Sequence, residues 1–80
     1  MIRTYALTDY DRMALGEKKY YVRIGNLRVR TGPGTEHAWT GRYCDRGYVG
    51  ISEIRDGRGS IRGWGKLSDG SGWISMDYAI

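Results

Sequence analysis

Leu27-Arg28-Val29-Arg30-Thr31-Gly32-Pro33-Gly34-Thr35 reads as a strand that runs into a rigid stop. Leu27 and Val29 alternate with Arg28 and Arg30, the period of two that gives a strand one dry face and one wet face. Pro33 fixes φ and has no N–H for a ladder, and Gly34 can take positive φ. The pair suits the central positions of a type II turn, and that turn sets where the chain leaves the sheet.

Outward from this stretch the pattern stays strand-like. Tyr20, Val22 and Ile24 alternate, and Gly25-Asn26 predicts a tight reversal or bulge before Leu27. Beyond the Gly-Pro-Gly turn, residues 35–38 read as loop, 39–43 as a strand and Asp45-Arg46-Gly47 as a turn. Residues 48–54 are strongly β-favouring. Asp56-Gly57 carries a hairpin signal, with a returning strand over 61–67. Residues 68–72 are a further hairpin, Trp73-Ile74-Ser75 a last strand, and Met76-Asp77-Tyr78 a single 3₁₀ turn. The first residues read differently. Thr8 and Asp11 form a plausible capping box, Tyr10, Met13 and Ala14 share a helical face, and Gly16 can close it. This predicts a helical turn over 9–15 or an ordered arm, with Glu17-Lys18-Lys19 as a charged hinge. The expected organisation is an arm or linker over 1–19 and one domain over 20–80. The expected fold is all-β: a small antiparallel barrel of five to seven short strands.

Composition narrows the possibilities. Eighty residues bury only about 60–65% of the surface that the unfolded chain exposes, so closure, which removes exposed strand edges, is valuable here. Cys44 is the single cysteine and His37 the single histidine, too few for an intrachain disulfide or a structural zinc site. Packing must come from aromatics: three Trp and seven Tyr, with no Phe. Each of these rings has a polar handle as well as an apolar body. The net charge of +4 favours anionic partners, but the arginines are scattered and not clustered in a run. No apolar stretch approaches the length of a membrane span, and the polar segment after Met1-Ile2-Arg3 has no signal-peptide h-region. A secreted destination then calls for a longer parent chain or an unconventional exit.

Catalysis finds little to build on. Cys44 and His37 flank one short strand, which would hold them about 20 Å apart, too far for a nucleophile and its base. Glu53, Asp56, Asp69 and Asp77 fall on turns or strand ends, and the glycines read as hairpin geometry with no phosphate cradle leading into a helix. The chain is expected to be a binding module with no catalytic residues, no metal and no cofactor.

Two motifs in order carry a family resemblance. The stretch from Leu27 to Thr35 resembles the leucine-asparagine-valine-arginine-serine-glycine-proline-glycine-threonine signature of bacterial SH3 (SH3b) domains. Trp64-Gly65-Lys66-Leu67, followed by Trp73-Ile74-Ser75-Met76-Asp77-Tyr78, resembles that family's closing hairpin. The match runs from about Tyr20 to Ile80. Arg28 stands where the family usually has asparagine, and residues 39–47 look one residue longer than typical. The resemblance implies an SH3-like barrel that targets phage endolysins and other peptidoglycan hydrolases to the bacterial wall. It would work outside the cell, as part of a secreted or phage-released protein. The implied partners are peptidoglycan stem or cross-bridge peptides, or a wall polymer, with a lytic enzyme as possible parent.

By motif, Trp64, Trp73 and Tyr78 match positions that line the ligand groove of the wider SH3-like fold, with Glu36 and His37 on its rim. Glu36 would pair with a ligand ammonium and Arg30 with a carboxylate, bidentately. Trp64→Ala is then expected to weaken wall retention while the protein stays folded. The core is expected from Val22, Leu27, Val29, Val49, Ile51, Leu67 and Ile74. Tyr5-Ala6-Leu7-Thr8-Asp9-Tyr10-Asp11 also resembles the opening of eukaryotic, polyproline-binding SH3 domains. Ala6 lies too far ahead of Tyr78 for that fold, and Gly65 and Ser75 replace its second tryptophan and groove proline. Two other readings remain open at this point. Single-stranded nucleic acid would need Arg28, Arg30, Arg42, Arg58 and Arg62 on the same face as the rings. An assembly role would pair residues 1–19 or a barrel edge with another copy or a parent enzyme.

Overall fold

The computed structural model describes residues 17–80. The helical turn over 9–15, the capping box and the Tyr5–Asp11 stretch lie outside the described residues. Six strands form one antiparallel sheet: β1 (Lys18–Val22), β2 (Leu27–Arg30), β3 (Trp39–Cys44), β4 (Gly47–Arg55), β5 (Trp64–Leu67) and β6 (Trp73–Ser75). Their order is β1-β4-β5-β6-β2-β3. A 3₁₀ turn over Met76–Tyr78 follows β6, and the chain then runs along the outer edge of β1. Tyr21 N donates to Ile80 O at 2.7 Å, Ile80 N to Tyr21 O at 2.9 Å and Arg23 N to Tyr78 O at 2.8 Å. The continuation of β6 thereby joins the sheet back to β1, giving a small SH3-like barrel around one interior to which β2 and β3 also contribute. Among the described residues no helix is long and apolar enough to cross a membrane.

Alternation fills the interior. Val22, Leu27, Val29, Ile51, Leu67 and Ile74 are buried together with Cys44, Met76 and Ala79. Val49, expected in the core, is half-buried and packs against its margin. Ile74 lies opposite Gly65 across β5–β6, and a side chain at Gly65 would collide with Met76 Sδ. The missing Cβ lets this tight interior close.

Four local expectations differ from the structure, each for a physical reason. The hydrogen-bonded turn after β2 spans residues 34–37, two residues beyond the turn expected with Pro33-Gly34 at its centre. His37 N donates to Gly34 O at 3.2 Å, and Gly34 holds φ at 146°. Asp56-Gly57 does not form the β4–β5 turn; residues 56–63 connect the strands, turning at Arg58-Gly59, where Gly59 has φ 89°. Gly57 is a close-approach position, since a Cβ there would strike the Pro33 carbonyl oxygen. The returning strand starts at Trp64 and not at Ile61, because the Ile61 and Arg62 N–H groups donate to Asp77 Oδ2 (3.1 Å) and Oδ1 (2.8 Å). The expected hinge is part of the sheet: β1 begins at Lys18, and Ser68 Oγ donates to Glu17 Oε1 at 2.6 Å. Gly25-Asn26 lies in a bend before Leu27, as expected, and joins strands that do not pair with each other: β1 pairs with β4 while β2 pairs with β3 and β6. Asn26 at φ 55° redirects the chain between separate parts of the wall.

Candidate ligand groove

Period two sorts β5 and β6 into faces. Gly65, Leu67 and Ile74 point inward, so Trp64 and Trp73 lie on the outer face, where Trp64 is opposite Ser75 and Trp73 opposite Lys66. Both rings are nevertheless buried, and two loops roof that of Trp64. Thr35 N donates to Arg58 O at 3.0 Å, which ties the loop after β2 to the loop after β4. The same Arg58 carbonyl accepts the Trp64 indole N–H at 3.1 Å. Arg30 fixes the first loop from beneath, its guanidinium donating to His37 O at 3.0 Å and Thr35 O at 3.3 Å.

Beside this roof is a groove of about 260 Å³, lined by Arg28, Arg30, Thr35, Trp64, Ser75 and Tyr78 among others. A larger concavity, about 450 Å³, lies elsewhere on the barrel and is bounded by Glu17, Tyr48, Leu67 and Asp69. The smaller groove is the better candidate. It joins residues of both sequence motifs and combines two arginines with two aromatic rings, the mixture of flat apolar wall and fixed polar groups that an extended ligand requires.

The structure brings three of the six expected site residues to this groove: Arg30, Trp64 and Tyr78. Tyr78 exposes 43% of its surface and offers a ring to a ligand. Trp64 is only 3% exposed, so it is a floor of the groove, and its polar handle is already satisfied by Arg58. That burial makes Trp64→Ala a destabilising change, contrary to the expectation from the sequence that the variant stays folded. Arg30 borders the groove as expected, but its hydrogen bonds go to the loop. Trp73, Glu36 and His37 do not line it. Trp73 is buried, with the Arg55 guanidinium 6.0 Å from its ring. The Glu36 carboxylate folds over Gly34 and lies 4.0 Å from His37 Nε2, while the His37 ring packs on Gly32.

Other residues extend the site beyond what alternation alone indicates. Arg28 reaches the groove, and its guanidinium lies 5.3 Å from the ring centroid of Trp39. Trp39 and Tyr43 form a tilted pair with centroids 5.2 Å apart, exposed at 42% and 48%. They share a face because Arg28 pairs with Tyr43 and Arg30 with Trp39. β3 therefore carries two more residues than β2 over that span, accommodated by a bulge around Gly41 at φ 89°. Arginines at 28 and 30 facing aromatic ends of the next strand were the available signal, but only with the bulge in the register.

Two titrating groups bear on the site. Burial, with Asp45 and Asp69 nearby, pushes the Cys44 thiol up, which disfavours the thiolate that nucleophilic chemistry uses. Asp77 is held below its ordinary value of 3.8 by the Arg62 and Ile61 N–H groups. A depressed folded-state value means that this stabilisation is complete above the ordinary carboxylate range and is lost as pH falls through the lowered one. Wild type is therefore expected to lose thermal stability below about pH 4 more steeply than Asp77→Asn. Melts taken between about pH 2 and 6 check this; parallel curves would remove the latch role of Asp77.

Comparison with known proteins adds no relative: no protein-family model, no curated protein and no solved structure matches the chain.

Proposed function

We propose that residues 18–80 form a non-catalytic recognition module that holds an associated peptidoglycan hydrolase on the bacterial cell wall. The ligand is an extended wall peptide or polymer lying across the Arg28–Trp64–Tyr78 groove. The observation that carries this reading is the meeting of both SH3b-like motifs in one concavity: Arg28 and Arg30 come from the first, Trp64, Ser75 and Tyr78 from the second. An exposed phenol beside a buried indole offers a flat surface with a hydrogen-bonding tip, as shallow peptide grooves do. The raised Cys44 thiol and the engagement of His37 with its own loop support a role in binding and not in bond cleavage. The reading places the protein outside the cell, with the wall-acting protein it serves.

The test is retention of the full chain on purified Gram-positive walls. Tyr78→Ala is expected to weaken retention by about tenfold, the loss of a moderate aromatic hot spot, with an unchanged melting temperature. Equal retention on walls and on unrelated beads would sink the proposal. A second reading draws on the Arg28 guanidinium over Trp39 and the exposed Trp39–Tyr43 pair, rings suited to nucleobase stacking. Binding to single-stranded DNA or RNA that falls steeply with salt would favour it over the wall.

A further inference from the structure

The two groove arginines are not equivalent. Arg30 is engaged with the carbonyl oxygens of Thr35 and His37. Arg28 is exposed, lines the groove and has neither a hydrogen-bond acceptor nor an acidic partner among the described residues; its contact is the face of Trp39. A cation–π contact at this distance uses up no N–H of the guanidinium, which leaves its fork available for a planar, bidentate acceptor. The ring that holds it is itself braced by Tyr43, and the Trp39 indole N–H donates to Arg42 O at 2.9 Å. Arg28 is thus a pre-positioned fork beside a peptide-sized groove.

The number of free forks decides the ligand chemistry. A polyanion such as nucleic acid or a phosphate polymer is held by several cations in line, whereas among the described residues this groove has one uncommitted cation. One fork suits one carboxylate. We propose that the Arg28–Trp39 pair is the specificity subsite of the groove and recognises a free carboxylate on the bound wall peptide, discriminating against the amidated form. A carboxamide lacks the charge and presents an N–H₂ donor to a side chain that has only donors. This inference rests on the wall-binding reading and names the chemical state of the wall that the module selects.

The experiment titrates the full chain with two synthetic stem peptides identical except that their carboxyl groups are free in one and carboxamides in the other. At about 0.1 M salt wild type is expected to bind the free acid at least about tenfold more tightly. Arg28→Gln should bind both peptides alike, near the amide's affinity, and Arg28→Lys should recover part of the preference. Arg28 is exposed, so all three proteins should melt together. Equal affinity of wild type for the two peptides, no binding of either, or a preference that survives in Arg28→Gln overturns the proposal. So does tighter binding of inorganic polyphosphate than of the acid peptide. Wall retention without an acid-over-amide preference removes this inference and leaves wall binding standing; absence of wall retention removes both.

Discussion

Trp64→Ala is expected to unfold at a temperature about 12–40 °C below wild type. The ring is 3% exposed, and truncating a buried aromatic costs about 3–5 kcal/mol. A domain of this length has only about 4–12 kcal/mol in total. The variant also strips the roof of its anchor, because the Arg58 carbonyl loses the indole N–H donor and Gly57 loses the ring it packs against. Each kcal/mol shifts the midpoint of so small a domain by about 4–8 °C, so thermal melts read the effect directly. Trp64→Phe keeps a ring and loses the donor, and should fall between wild type and alanine. A melting temperature for Trp64→Ala within a few degrees of wild type would show that the loops do not depend on this indole. Loss of ligand binding in Trp64→Ala reports unfolding, so Tyr78 and Arg28 are the informative positions for recognition.

Ile74→Ala is expected to cost about 2–5 kcal/mol without altering any groove residue. Its side chain is fully buried at the middle of β6, and the cavity it leaves cannot collapse easily. Its facing position is a glycine whose space is already taken by Met76 and Ile51. Ile74→Val, which removes one methyl group, should cost about 0.5–1.5 kcal/mol. Urea midpoints for the pair check both values; similar midpoints for alanine and valine would mean that the interior repacks around β6. Where Ile74→Val remains folded, its ligand affinity should equal that of wild type, which separates stability from recognition.

The interior was legible because alternation is a local property. Val22, Leu27, Val29 and Ile51 each stand in a period-two run, and closure buries them with Leu67 and Ile74. The same periodicity says which face Trp64 and Trp73 occupy but not what covers it. The cover of Trp64 comes from loops more than twenty residues apart in sequence, joined through Thr35 and Arg58. No local pattern reports such a contact. Ile61 shows the converse: a β-branched residue in a strand-like run is turned out of the ladder by the carboxylate of Asp77, a distant acceptor. The Arg28–Trp39–Tyr43 ledge escaped for a third reason. It depends on a register that a bulge alters, and the side-chain period of two makes register the most sensitive quantity in a sheet.

The stitching of residues 78–80 to β1 bears on how fast the polypeptide acquires its shape. β1 gains its second neighbour only when a segment far along the chain docks on its edge, so its closing backbone partners are distant in sequence. Such a high-contact-order closure makes folding slower than in a helical chain of this length, and leaves the edge of β1 open to mispairing until that segment has docked.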